Sequence, residues 1–193
     1  MVKNIKVGIL ALQGDFREHS EMLQKMGTKT VLIRLPKHLI SVDRLIIPGG
    51  ESTTIGKLLA IYGLLNPISK RAQEGMPIWG TCAGAILMAK HIADGLPNQN
   101  SLNLIDITAR RNAFGSQLDS FEDNLKIKQI GTAPFNVIFI RAPILELPGS
   151  NVEILAKINQ KKIVAVKQGK MLATCFHPEL MDDRRFHEYF LSL

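Results

Sequence analysis

Two short stretches hold residue types that can do nucleophilic chemistry. The first is Gly80-Thr81-Cys82-Ala83-Gly84, preceded by the apolar run Pro77-Ile78-Trp79 and followed by Ala85-Ile86-Leu87-Met88-Ala89-Lys90, which reads as the start of a helix. Strand, tight turn with a cysteine, then helix is the layout of a nucleophile elbow, with Cys where Ser usually stands. So sharp a turn strains the nucleophile's backbone and crowds the positions two before and two after it. Both are glycine here. The helix that follows turns its free N–H groups and positive end towards the sulfur, which favours thiolate over thiol. The Ala83 N–H is free to face an oxyanion. The plainer alternative is a buried cysteine acting as a small hydrophobe on a glycine-flanked turn.

The second stretch is His177-Pro178-Glu179. Pro178 biases His177 towards extended backbone at a strand end. Glu179, two residues on, can reach the imidazole, and a carboxylate that fixes the tautomer of a base is the logic of a triad. A surface or capping histidine is the alternative. His19, His38, His91 and His187 fall in helix or loop contexts and read as structural, and Cys175 reads as a core thiol. No Cys/His cluster has metal-ligand spacing, so neither metal nor cofactor is expected. Between these stretches and the N-terminus, Pro48-Gly49-Gly50-Glu51-Ser52-Thr53-Thr54 follows a strand. Its paired glycines let backbone N–H groups approach a ligand, which suits an oxyanion and substrate loop facing the elbow. It is too short, and lacks the lysine, for a phosphate-binding loop. The plain reading is a strand–helix loop with Ser52 or Thr53 as N-cap. Arg110-Arg111-Asn112-Ala113-Phe114-Gly115-Ser116-Gln117 is either an exposed basic turn or the source of an arginine that clamps a carboxylate.

These residues need a scaffold, and the pattern supplies one. Residues 6–12 form a near-continuous apolar run, as a strand buried on both faces of a parallel sheet does. Asp15 caps a helix over 16–26 that Gly27 closes. Strands over 30–35 and 43–47 flank a short connection. Helices over 55–62 and 66–74 lead to the strand before Cys82. This βαβ rhythm predicts an α/β domain with a mostly parallel sheet, helices on both faces and three layers, flavodoxin-like. The second half reads as more antiparallel, with strands over 104–109, 124–129 and 136–143 and a hairpin of 152–158 with 162–167. A strand over 171–176 carries His177 at its end, and a helix over 183–193 closes the chain. No repeat or low-complexity linker marks a second domain, so 1–193 reads as one.

The 193 residues suffice for a sizeable core, and 21% charged residues is ordinary for a globular protein. Two cysteines give no disulfide framework, and no apolar run approaches the ~18–20 residues of a membrane span. The N-terminus lacks the shape of a signal peptide, so a reduced cytoplasmic setting is expected, with no membrane partner. The net charge of +7 suits an acidic partner or a solvated basic surface. The basic residues are scattered and not interleaved with aromatics, which points away from nucleic acid.

Together these segments resemble the class I, triad-type glutamine amidotransferases. The finer likeness is to the glutaminase subunits of pyridoxal 5'-phosphate synthases. It rests on Leu10-Ala11-Leu12-Gln13-Gly14-Asp15-Phe16, on the Pro48 to Thr54 loop, on Arg111-Asn112-Ala113-Phe114-Gly115, on Phe139-Ile140-Arg141-Ala142-Pro143 and on Phe176-His177-Pro178-Glu179-Leu180. The resemblance implies hydrolysis of L-glutamine to L-glutamate and ammonia, the ammonia passing to a synthase subunit in a hetero-oligomer. It implies Cys82 as nucleophile, His177 as acid–base, Glu179 as its orienter, and an oxyanion hole from Ala83 and the Gly49-Gly50 turn. It further implies glutamine binding by Gly50, Glu51, Ser52, Arg111, Ile140 and Arg141, with either arginine suited to the α-carboxylate. Activation on docking is also implied, and a flip of the Gly49-Gly50 peptide is an expected switch, with the Gln13-Gly14 turn near the partner. A glutaminase serving another synthase, such as the imidazole glycerol phosphate one, is the rival, and the Arg111 and Phe139 segments speak against it.

Overall fold

The computed structural model describes residues 5–96, 99–111, 113 and 120–193. Four strands open the chain: β1 (Lys6–Leu10), β2 (Lys29–Ile33), β3 (Arg44–Ile47) and β4 (Ile78–Thr81). Between them run helices α1 (Phe16–Lys25), α2 (Ser52–Ile61) and α3 (Leu65–Gln73). After the elbow come α4 (Ala83–Met88), β5 (Ala89–Ile92), β6 (Ile105–Arg110), β7 (Ser120–Leu125), β8 (Phe135–Ile140) and β9 (Ile144–Glu146). The chain ends with β10 (Glu153–Ile158), β11 (Lys162–Gln168), β12 (Met171–Thr174) and α5 (Arg185–Ser192).

The main sheet is ordered β2-β1-β3-β4-β12-β11-β9-β6-β5, with β10 paired to β11. The first five of these strands are parallel. The inner strands β1, β3, β4 and β12 are buried on both faces, as all-parallel strands require, and Val7 to Leu10 are all buried; of the edge strand β2 only Ile33 is buried. From β12 onward the pairing turns antiparallel through β11, β9 and β6, and only β5 returns parallel to β6. The expected mostly parallel sheet with an antiparallel second half is therefore the fold. The hairpin of β10 and β11 lies where its sequence pattern put it.

Side chains alternate across a strand, so β4 shows what covers each face. Trp79 faces the rings of His19 on α1 and of His187, Phe186 and Phe190 on α5. At Gly80, a Cβ would meet the backbone of Gly84 and Ala85 in α4. Helices α1 and α5 thus lie on one face and α4, with α2 packed against it, on the other. Among the described residues no helix is long and apolar enough to cross a membrane.

Three elements differ from expectation. The strand expected over 124–129 is β7, which ends at Leu125, and a short 3-10 turn follows at Lys128–Ile130. Its partner decides this: β7 pairs residue for residue with β8 in a separate two-stranded sheet, and Phe121 stacks on Phe139 at 4.7 Å. The helix after Cys82 stops at Met88 because Ala89 turns extended and joins the sheet edge as β5. All six residues of α4 are buried, so no amphipathic pattern marked its length. The connection over 36–42 forms a 3-10 helix, Pro36–Ser41.

Candidate functional site

The carboxyl ends of β1, β3, β4 and β12 meet in one cleft of about 420 Å³, the position where open α/β sheets bind ligands. Cys82 stands at the base of it, between β4 and α4, with φ 46° and ψ −102°. Non-glycine residues rarely hold that conformation, and strain of this kind concentrates at functional sites. Tight packing imposes it. A methyl group at Gly84 would overlap Ile47 O, and one at Gly80 would lie 2.5 Å from the Gly84 carbonyl. The Cys82 N–H donates to Thr174 O at 2.8 Å, which ties the elbow to β12. Sγ lies 3.8 Å from Ile140 O and is nearly enclosed. With only six residues, α4 offers a weaker positive end than a full helix, so the charge beside the thiol comes chiefly from His177.

His177 follows β12, and its N–H donates to Ile138 O at 2.9 Å, which fixes the backbone against β8. Its Nδ1 lies 2.8 Å from Glu179 Oε1. Nδ1 therefore carries the proton that the carboxylate accepts, and Nε2 is left for the thiol side. Both residues are buried. Burial acts to lower the His177 pKa, but the hydrogen bonds and charges of Cys82 and Glu179 outweigh it and hold the imidazole up at about 10. Burial in turn raises the Glu179 carboxyl, against the pull of His177. The chain thus brings together the three residues that the two motifs nominated, across 97 positions of sequence.

The glycine-rich loop forms the facing wall. Asp15 N–H donates to Gly49 O at 3.1 Å, and Glu51 N–H donates to Gln13 Oε1 at 2.8 Å. A Cβ at Gly49 would come within 2.5 Å of His177 Cε1, so only glycine fits beside the imidazole. Two capping expectations change here. Glu51, not Ser52 or Thr53, caps α2: its carboxylate accepts from the N–H groups of Thr53 at 3.0 Å and Thr54 at 2.6 Å. Burial acts to raise the Glu51 carboxyl, yet these hydrogen bonds outweigh it and hold it at about 2. Ser52 is buried and meets Gln99 Nε2 at 3.3 Å. Asp15 makes no side-chain cap to α1; its Oδ2 lies 3.5 Å from His177 Nδ1 instead.

Arg111 and Glu51 form an ion pair, Nη2 to Oε1 at 3.5 Å, and Arg111 Nη1 donates to Thr53 Oγ1 at 3.4 Å. Both line the cleft with Ser52, Ala83, Ile140 and Arg141. Arg141 has φ 42° and makes no ion pair among the described residues. Of the segment from Arg111 to Gly115, Asn112, Phe114 and Gly115 lie outside the described residues, as do Ser116 and Gln117 beyond it. Cys175 is fully buried, as expected of a core thiol.

Sequence reasoning missed two residues of the cleft. Gln13 and Asp15 line the cleft, although their turn reads as a strand end and a cap. His19 and His187, read as structural, are wholly buried, His19 behind Glu179 and His187 behind His19. The available signal was spacing: His19 shares a helical stripe with the buried Met22 and Leu23.

The family model for the SNO glutamine amidotransferases matches residues 9–193. A protein of Roseiflexus sp. (strain RS-1) named pyridoxal 5'-phosphate synthase subunit PdxT is 63% identical over 187 residues, 97% of this chain and 99% of its own. A protein of the same name from Chloroflexus aurantiacus is 52% identical over 188 residues, again 97% and 99% of the two chains. Among solved structures, a glutamine amidotransferase superposes with a TM-score of 0.91 at 49% identity, covering 96% of this chain and 97% of that one. PurLQS from Thermotoga maritima shares the fold at a TM-score of 0.69 and 15% identity, over 97% and 98%.

Proposed function

The chain belongs to the SNO glutamine amidotransferase family, and from that premise we propose that it is the glutaminase subunit of a pyridoxal 5'-phosphate synthase. It hydrolyses L-glutamine to L-glutamate and ammonia and hands the ammonia to a synthase subunit bound to it, in the cytoplasm. One observation carries the chemistry: a strained Cys82 faces an imidazole whose far nitrogen is held 2.8 Å from a buried carboxylate, with Cys82 and His177 both lining one cleft.

In this reading His177 Nε2 already holds the proton that Cys82 has given up, and Sγ attacks the side-chain carboxamide carbon. The oxyanion so formed is held by the N–H of Ala83 and of Gly50, donors each worth ~10²–10³ in rate. The C–N bond breaks, His177 gives its proton to the leaving nitrogen, and ammonia departs from a γ-glutamyl thioester. Water then gives a proton to His177 and attacks the thioester carbon, and the thiol leaves with that proton. Glu179 keeps Nδ1 protonated throughout. The Arg111–Glu51 pair offers opposite charges side by side, which matches the zwitterionic end of an α-amino acid. Gly50, Ser52, Ile140 and Arg141 complete that subsite.

The Gly49 carbonyl is held by the Asp15 N–H. A flip of the Gly49-Gly50 peptide must break that bond, so a partner pressing on the Gln13-Gly14 turn has a direct route to the oxyanion hole. The test is glutamate release from glutamine by the purified chain, with and without its synthase subunit, for wild type and Cys82→Ala. Partner-dependent release that vanishes in the variant is expected. Release only with a different synthase would move the pathway, and silence with every partner would overturn the reading.

A further inference from the structure

Behind the triad runs a second line of polar side chains that the reaction above does not use. His19 on α1 and His187 on α5 are both fully buried, edge-on to Trp79 at 5.5 Å and 5.0 Å between centroids. His19 Nδ1 lies 3.1 Å from His187 Nε2. His19 Nε2 lies 3.2 Å from Oγ1 of Thr81, the residue before Cys82, and 3.4 Å from Glu179 Oε2. Glu179 Oε2 and His187 Nδ1 are buried with no hydrogen-bond partner among the described residues.

Where the protons sit decides what this line does. Burial keeps both imidazoles neutral: it drives His187 down to about 3, and it pushes His19 well below its ordinary value with the neighbouring His187 adding to the effect. Two tautomeric arrangements then remain. If His19 carries its proton on Nδ1, it donates to His187. His187 must then hold a proton on Nδ1 with no acceptor, and His19 Nε2, although it can accept from the Thr81 hydroxyl, turns a lone pair on a carboxylate oxygen. If His19 carries its proton on Nε2, His187 donates to His19 Nδ1. The group left over on the imidazoles is then an unpaired acceptor on His187, and the N–H of His19 faces Thr81 Oγ1 at 3.2 Å with Glu179 Oε2 beside it at 3.4 Å. Buried donors without partners are rarer than buried acceptors without them, and a lone pair facing a carboxylate repels it. The second arrangement is the one the geometry selects.

We propose that His19, itself oriented by His187, is a positioning residue for the triad: its Nε2–H holds Glu179 Oε2, so that Oε1 stays aligned with Nδ1 of His177. The inference rests on the triad reading given above. It makes the buried face of the sheet, where α1 meets α5, part of the catalytic support. The ionisable groups facing His177 are Cys82 from the elbow, Glu179 from the turn after β12 and Asp15 from the turn before α1. Only Glu179 is in the reach of His19.

The test pairs two readouts. The titration of the His177 ring is followed by NMR in the free chain labelled with nitrogen-15 histidine, and glutamate release is measured in the complex with the synthase subunit. His19→Leu removes the donor and keeps the bulk. His19→Gln returns an N–H near the place of Nε2. In His19→Leu the His177 midpoint should fall by about one pH unit or more, because a carboxylate without its donor is less often charged. The same variant should lower kcat about ten- to a hundredfold, the range for losing one hydrogen bond to a charged group, with KM unchanged. His19→Gln should recover most of both. His187→Phe keeps a ring against Trp79, loses the Nε2 donor and should show a smaller loss in the same direction; it carries the comparison if His19→Leu does not fold. An unshifted His177 titration in a folded variant, or equal losses for Leu and Gln, would overturn the proposal. The NMR titration needs no turnover, so it decides this point even if the chain hydrolyses no glutamine, an outcome that would sink the functional reading instead.

Discussion

Replacing Glu179 with Gln keeps the side-chain shape and removes the charge at the most enclosed point of the site. The carboxylate now accepts from His177 Nδ1 at 2.8 Å. An amide there can present its NH₂ to Nδ1 instead, which moves the imidazole proton to Nε2, the nitrogen that has to take the thiol proton. The charge that helps hold His177 at about 10 is also gone, and burial, which acts downward on the imidazole, then dominates. Neutralising the acid of a comparable triad lowers kcat about 10⁴-fold, or roughly 5 kcal/mol of transition-state stabilisation. The sign of the pH effect follows. The imidazolium that pairs with the sulfur survives at neutral pH only while the His177 pKa stays high. The alkaline limb of kcat/KM should therefore fall from about 10 in the wild type towards the ordinary histidine range or below it. The assay is glutamate release by the assembled complex from acid to alkaline pH, with urea unfolding to show that the variant is folded. A folded Glu179→Gln protein within tenfold of wild type, with its alkaline limb unmoved, would refute the assignment of Glu179 as the orienter of His177.

Three further outcomes follow from the same geometry. Iodoacetamide at neutral pH should label Cys82 and spare Cys175, because Cys175 is fully buried and burial pushes its thiol well up; peptide mapping by mass spectrometry reads this, and labelled Cys175 in folded protein would contradict its core placement. Gly84→Ala puts a methyl group into Ile47 O and should lower the unfolding free energy by about 2 kcal/mol or more, measured by urea titration. Glu51→Gln removes one charge of the pair with Arg111 and weakens the cap of α2. It should raise KM for glutamine about tenfold with kcat nearly unchanged, and cost ~1 kcal/mol of stability from the cap. An unchanged KM would mean that this loop does not read the amino acid.

Features governed by local rules were legible in the order of residues alone. Val7 to Leu10 could only be a strand buried on both faces. Gly80 and Gly84 around Cys82 announced the elbow, and Pro178 between His177 and Glu179 announced a base with its carboxylate. Each of these leaves a mark within a few residues of sequence, even where the contact that requires it is distant, as Ile47 is for Gly84. Features that depend on distant partners emerged only once the chain was folded. Glu51 rather than Ser52 caps α2, because the loop turns its carboxylate onto the helix and towards Arg111. Asp15 leaves its own helix uncapped and faces His177 across the cleft. β7 takes its length from β8, and α4 stops where β5 meets β6. Above all, His19 and His187 look like ordinary helix residues until the sheet brings 168 positions of chain together behind Glu179. A buried polar group gets its meaning from what it is buried against, and no spacing rule within the chain contains that.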